Sequence, residues 1–361
     1  MTDHYLQRDA AARTWKQAGG AVVGYFADDV PVALIEAAGF LPYRVAGDPA
    51  GDIPAAMARG PIDVRADRLA YVNSWVCQIA AGHLDFIDHF IISNSRKHIL
   101  QLHERLLALK RPPSLCVLDR AMGDSFAASE FNHRQIIQLG SRLEGWAGAP
   151  ITDSAMAAAV ARYNRRASAL RRFASLRETM PARLAGSLAL RTLIAIRRMR
   201  CDDAAALLES MIASAATGDA VPGLPLFIGG SAQDNDAIYR AIEQAGGNVI
   251  AESHGWGPAL IEQDIGDGDP FAAISAHYHH HPDFVVPLAE SVAKVKQRVS
   301  RTIARRFLTC LYSADEAPLW EAPSEHHALD IPATTLADLP YTTELPPLCD
   351  RFATLMKDWQ V

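Results

Sequence analysis

AVVGYFADDVPVALIEAAGFLPYRV, residues 21–45, decides the fold. Val22 to Phe26 is a short β-rich run. It leads through Pro31 into a helix that carries Ile35 and Ala38 on one face, and a second short apolar run follows. This is a β-α-β opening. Further along, FIDHFIIS (86–93) and SLCVLD (114–119) are apolar runs separated by a charged helical stretch that Pro112 and Pro113 terminate. Strands that alternate with helices imply a mostly parallel sheet covered on both faces.

From about Ser129 to Gly218 the pattern changes to long helical periodicity with no β-rich run. Alternation then resumes with LPLFIGG as a strand and turn, SAQDNDAIYRAIEQAGG as a helix and NVIAES as a strand. A helix from Pro287 to Arg306, a strand from Arg306 to Ser313 and a C-terminal helix around PLCDRFATLMKDW complete the second half. The expected organisation is an N-terminal α/β domain (1–128), a helical segment (129–218) and a C-terminal α/β domain (219–361), the two α/β units being flavodoxin-like parallel sheets.

The chain of 361 residues is 49% hydrophobic and 21% charged, which are ordinary globular values. No stretch approaches the roughly 18 apolar residues of a membrane helix, and the polar N-terminus lacks the features of a secretory signal. Both predict a cytoplasmic protein without membrane partners. A net charge of −6 argues against nucleic acid as a partner. Five scattered cysteines with no CxxC pair argue against a disulfide framework or a zinc ribbon.

Several phrases, taken in order, resemble the superfamily of 2-hydroxyacyl-CoA dehydratase and benzoyl-CoA reductase subunits, the D-component superfamily. VVGYFADDVPVALIEAAGFLPYRVAG is similar to its first strand, turn and helix. YVNSWVCQIAAGHLDFIDHFIIS is similar to its first cysteine segment, PITDSAMAAAVARYNRRASALRRF to its middle helix, and LPLFIGGSAQDNDAIYRAIEQAGGNVIAES to the strands that lead to its third cysteine. The resemblance implies two flavodoxin-like domains with a [4Fe-4S] cluster between them, a paired subunit, and an ATP-dependent activator that delivers a low-potential electron. It also implies ketyl-radical chemistry on an acyl-CoA thioester, either dehydration by a lyase or ring reduction by an oxidoreductase.

The departures from the family fall on its cluster ligands. Cys77 matches the first of the three family cysteines. The second segment reads IISNSRKHIL, with Arg96 and Lys97 near the ligand position, and the third reads AESHGWGPAL, which keeps Glu252 and Gly257 but places Gly255 near the cysteine. Thiolates hold iron–sulfur iron, and one of them cannot hold a cubane. The expectation is therefore that this chain alone binds no typical [4Fe-4S] cluster. Cys77 is then a vestigial or shared ligand, and the cluster belongs to a cysteine-complete paralogous subunit.

Other candidates carry competing readings. His254 and the run His277, His279, His280, His281 invite metal or acid–base chemistry, but Pro282 follows at once and an exposed or interface loop serves equally. Eleven arginines between Arg162 and Arg200 face a single acid, Glu178. Arg165 and Arg166 there are candidates for CoA phosphates, the alternative being solvated faces or pairing with a partner's acids. Gly229, Gly230 and Ser231 lie between strand and helix, where anions bind in α/β folds, although glycines also serve tight turns. Asp28 and Asp29 either face the inter-domain cleft or cap the next helix. The leading expectation is a subunit of an acyl-CoA dehydratase or reductase complex. The alternatives are a structural or CoA-binding subunit that lost the cluster, and a repurposed histidine-dependent enzyme.

Overall fold

The computed structural model describes residues 9–50, 70–94, 97–108, 114–178, 181–258, 263–279, 287–313 and 315–359, without the side chains of 97–101. Arg96, His280, His281, Pro282 and the side chain of Lys97 therefore lie outside the described residues.

After α1 (Ala10–Gln17), the N-terminal sheet consists of β1 (Val22–Tyr25), β2 (Leu41–Arg44), β3 (His89–Ser93) and β4 (Ser114–Leu118) in the order β2-β1-β3-β4, all parallel. The helices between them are α2 (Val32–Ala37), α3 (Ala70–Ala80) and α4 (Lys97–Ala108). β1 is buried on both faces, as its valines require, and a Cβ on Gly24 would come within 2.8 Å of the Phe90 ring. The glycine lets β3 pack that closely.

The second sheet is built in the same way. β5 (Leu224–Gly230), β6 (Gly247–Glu252), β7 (Arg306–Tyr312) and β8 (Ala333–Leu339) run parallel in the order β6-β5-β7-β8, giving the two flavodoxin-like sheets expected from sequence. Between the sheets in sequence lie α5 (Phe126–Ala147), α6 (Asp153–Glu178), α7 (Gly186–Ala195), a 3-10 turn (Ile196–Arg198) and α8 (Cys201–Thr217). The remaining helices are α9 (Ala237–Gln244), α10 (Pro270–His279), α11 (Leu288–Ser300), α12 (Glu316–Ala328) and α13 (Pro346–Asp358).

Several elements depart from the sequence reading. The histidine run begins on a helix, α10, instead of in a loop. α12 and β8 were not anticipated, because β8 is a half-exposed edge strand with no apolar alternation and holds Asp338 at φ +53°. Among the described residues, no helix is long and apolar enough to cross a membrane.

One apolar core joins the halves, with Val22, Phe26 and Trp75 of the first in the same cluster as Ile194 of α7 and Leu226, Ile228 and Trp256 of the second. Each fully buried aliphatic side chain of this kind contributes about 1.5–3 kcal/mol. A separate core on the opposite face of the first sheet gathers β1, α2, α5 and α6, including Val23, Leu139 and Tyr163. In both sheets the strand order reverses around the first strand, so β1 and β5 present their carboxyl ends at the switch points where α/β folds place ligands.

Gly230 ends β5 at φ +96°, and a Cβ there would lie 2.4 Å from the Cys310 carbonyl oxygen of the paired strand. Gly39 has a similar φ of +88° but open space around it. Gly230→Ala should therefore cost about 2–3 kcal/mol and Gly39→Ala about 1 kcal/mol in urea unfolding. Equal costs would show that conformation alone, and not the strand contact, governs position 230.

Candidate functional site at the inter-domain junction

The loop after β1 places Asp28 beneath the second half of the molecule. Both of its carboxylate oxygens take hydrogen bonds from Arg197 of the 3-10 turn: Nε donates at 3.1 Å to Oδ1 and 2.9 Å to Oδ2, and Nη2 donates at 2.7 Å to Oδ2. Arg44, at the end of β2, donates from Nη1 to the same Oδ2 at 2.7 Å. Arg197 also reaches the carbonyl oxygens of Leu193 at 2.9 Å and Gly257 at 2.7 Å. Arg44 lies over the Trp256 ring, 3.9 Å from its centroid. All three charged side chains are buried. A single carboxylate therefore holds two desolvated guanidinium groups and joins β1, β2, the helical segment and the loop after β6.

Asp29 points elsewhere. Its Oδ2 accepts the Ser93 hydroxyl at the end of β3 and lies 3.9 Å from Arg120 Nη1. The adjacent aspartates are thus not a paired acid and base, and neither caps α2, whose first residue follows Pro31 without a side-chain cap.

A second buried chain of groups runs along β6. Glu252 is gripped through two oxygens by Arg177 of α6. Burial pushes the carboxyl upward, but Arg177 outweighs it, and the net shift is below the usual carboxylate range. The Tyr239 hydroxyl donates to Glu252 Oε2 at 3.2 Å and meets His254 Nε2 at 2.8 Å, while the Trp256 N–H donates to His254 Nδ1 at 3.2 Å. Because Nδ1 accepts, Nε2 carries the proton and gives it to the tyrosine oxygen. Burial, aided by Arg177, Arg197 and Arg44, lowers the His254 pKa from the usual 6.5 to about 4. The imidazole is neutral with both nitrogens committed. It orients Tyr239 and the loop after β6, and it has no free lone pair for a metal.

The other predicted residues are dispersed. Arg165 is exposed and pairs with Asp202 at 2.6 Å, whereas its neighbour Arg166 is buried, so the two do not form one phosphate site. Arg171 and Arg172 likewise pair with Asp264 and Glu209. Acids of the same chain thus neutralise much of the basic strip. The Ser231 N–H donates to the Cys310 carbonyl oxygen at 2.9 Å, and its hydroxyl accepts the Tyr312 N–H at 3.0 Å. α9 begins only at Ala237, so Gly229, Gly230 and Ser231 tie β5 to β7 and do not sit at a helix N-terminus. His277 Nε2 meets the Tyr163 hydroxyl at 3.1 Å, and His279 Nδ1 meets Asn132 Nδ2 at 2.8 Å. Among the described residues, no group of three or more His, Cys, Asp or Glu side chains is placed to hold a metal ion.

Sequence reasoning did not single out Arg44, Arg177, Arg197, Tyr239 or Trp256 as site residues. The available signal was an arginine inside an apolar run, in FLPYRV and in LIAIRRM, since such a residue is buried only with a partner.

Two parallel α/β sheets whose first strands converge on a buried junction define a protein of paired flavodoxin-like domains. The sequence pattern of the 2-hydroxyglutaryl-CoA dehydratase D-component family matches residues 29–310, and the chain belongs to that family. No curated protein matches it. The cluster that the family resemblance implies would need several thiolates, and at the family's ligand positions the described residues offer Cys77 and, in place of the third cysteine, Gly255. Cys77 on α3 packs in the apolar core, and burial raises its thiol pKa. A Cβ on Gly255 would lie 3.9 Å from Arg44 Nη2 and 3.6 Å from Ala232 Cβ. A side chain at 255 would therefore meet a guanidinium already paired with Asp28.

The lowered pKa of His254 makes stability depend on pH in a defined direction. The unfolded chain takes up the proton near pH 6.5, the folded one only near pH 4. The contribution is complete above pH 6.5 and declines by about 3 kcal/mol as pH falls to 4. Denaturant unfolding of wild type and His254→Gln across this range should give difference curves with that slope. Parallel curves would contradict it.

Proposed function

We propose that the chain is a subunit of a 2-hydroxyacyl-CoA dehydratase or benzoyl-CoA reductase type complex that acts on an acyl-CoA thioester, with the iron–sulfur cluster held by a cysteine-complete partner chain. Family membership supports the dehydratase-type frame, and the family's name designates one component of a larger enzyme. The observation that carries the assignment of the cluster to the partner is Arg44, stacked on Trp256 and bonded to Asp28 beside Gly255. In this reading, a bound cluster and its activator supply the low-potential electron from the partner's side. This chain supplies an α/β wall whose junction charges, Asp28, Arg44 and Arg197, are already paired, so they do not compete for the thioester carbonyl as it gains charge. The exposed arginines of α6, Arg165 among them, are paired only at the surface, where an ion pair contributes little, and a CoA phosphate can draw them away.

A second reading, a structural subunit without a catalytic part, is favoured by the same closed junction and by the committed nitrogens of His254. Co-expression with a cysteine-complete homologue tests the first reading. The two chains should co-purify, the complex should contain about four irons in a single cubane, and Cys77→Ala in this chain should leave iron content and acyl-CoA turnover unchanged. Anaerobic reconstitution of this chain alone to a similar iron content, lost on Cys77→Ala, would overturn the assignment. Full turnover by the partner without this chain would leave the structural reading.

A further inference from the structure

Arg166 lies at the middle of α6 with 1% of its surface exposed. Its strongest electrostatic neighbours are Cys201, Tyr163, Tyr25 and Tyr278, and its guanidinium sits 4.6 Å from the Tyr163 ring centroid. Burial pushes the Cys201 thiol up to about 12 and raises all three phenols, so every one of these groups is neutral at physiological pH. The nearby acids are committed: Asp28 to Arg197 and Arg44, and Glu36 to Arg162, Arg200 and the Cys201 N–H. Among the described residues, Arg166 is left as a buried cation with no carboxylate partner.

Two of its nitrogens, Nε and Nη2, are fully buried and have no hydrogen-bond partner among the described residues. They form the parallel fork with which arginine grips two coplanar oxygens. Arg197 uses the same pair on Asp28. A desolvated guanidinium with its fork empty is costly, and the face of one tyrosine ring replaces neither the hydrogen bonds nor the charge.

We propose that the Arg166 fork is a binding site for a small oxyanion, a carboxylate or phosphate group taken up into the core between β1, α6, the start of α8 and α10. The inference rests on Arg166 and its surroundings and is independent of which complex the chain joins. Because the fork is covered, uptake requires a local opening, and measurements are made after equilibration.

The test is thermal unfolding of the full chain in sodium acetate and in inorganic phosphate, against chloride at equal ionic strength. One of the two should give a saturable rise of roughly 3–5 °C at a hundredfold excess over its Kd. A larger effect of acetate identifies a carboxylate ligand, and a larger effect of phosphate a phosphate. Arg166→Met should abolish the rise, and Arg166→Lys, which keeps the charge without the fork, should weaken binding about tenfold or more. No saturable rise with either anion, or a rise undiminished in Arg166→Met, overturns the proposal. If the methionine variant fails to fold, wild-type protein labelled with 15N-arginine gives a second readout. Anion addition should shift one slowly exchanging Nε–H resonance downfield, and an unchanged spectrum overturns the proposal.

Discussion

The Asp28 carboxylate is the constraint on which the junction depends. Two guanidinium groups, Arg197 and Arg44, have left water to reach it. Asp28 offsets much of that cost, because desolvating a charge costs several kcal/mol unless a close counter-charge and well-formed hydrogen bonds return it. The remaining hydrogen bonds of Arg197, to Leu193 and Gly257, extend this network to α7 and to the loop after β6. Trp256 closes it from above by covering Arg44. The Gly47 N–H also donates to Asp234 Oδ2 at 2.6 Å, so polar bonds between the halves occur at more than one point along the shared apolar core. The orientation of the two sheets is set by these polar fixtures, since apolar contact alone is tolerant of small slips.

The same fixtures explain the relation between this chain and its family. Open α/β folds present their strand ends at the switch point as a place for ligands. Here that place contains a closed charge cluster, with Asp28 after β1 and Arg44 at the end of β2, while the glycines at the end of β5 bind to β7. His254, which invites a catalytic reading from sequence, is tied between Tyr239 and the Trp256 N–H and kept neutral by burial. A histidine in that state fixes a loop. The chain has the family's α/β frame, and a buried ion-pair cluster lies at its junction.

The fold was legible because its central strands are strongly apolar and its helices are punctuated. Val22–Tyr25 and Leu224–Gly230 could be read directly, and the parallel order followed from alternation. β8 was not legible, since ATTLADL is half-exposed at a sheet edge and carries no periodic signal. Nor was α10, whose closing histidines resemble a loop until Tyr163 and Asn132 are seen to engage His277 and His279. At the site, the departures at positions 96, 97 and 255 were visible from residue types. The buried ion-pair cluster was not: Arg44 and Arg197 are 153 residues apart in sequence, and only the fold brings both to Asp28. Arg165 and Arg166 show the converse limit. As neighbours they read as one basic pair, but a helix turns about 100° per residue, which sends one to solvent and the other into the core.

The most direct measurement is a double-mutant cycle on Asp28 and Arg197, read by urea unfolding of the intact chain. Asp28→Asn strands two buried guanidinium groups and should cost about 3–5 kcal/mol, whereas Arg197→Met leaves the carboxylate to Arg44 and should cost less; the double variant, in which only Arg44 loses its counter-charge, should cost less than the sum of the two by at least about 2 kcal/mol. Additive losses, or single variants that unfold like wild type, would contradict the claim that this ion pair holds the junction closed.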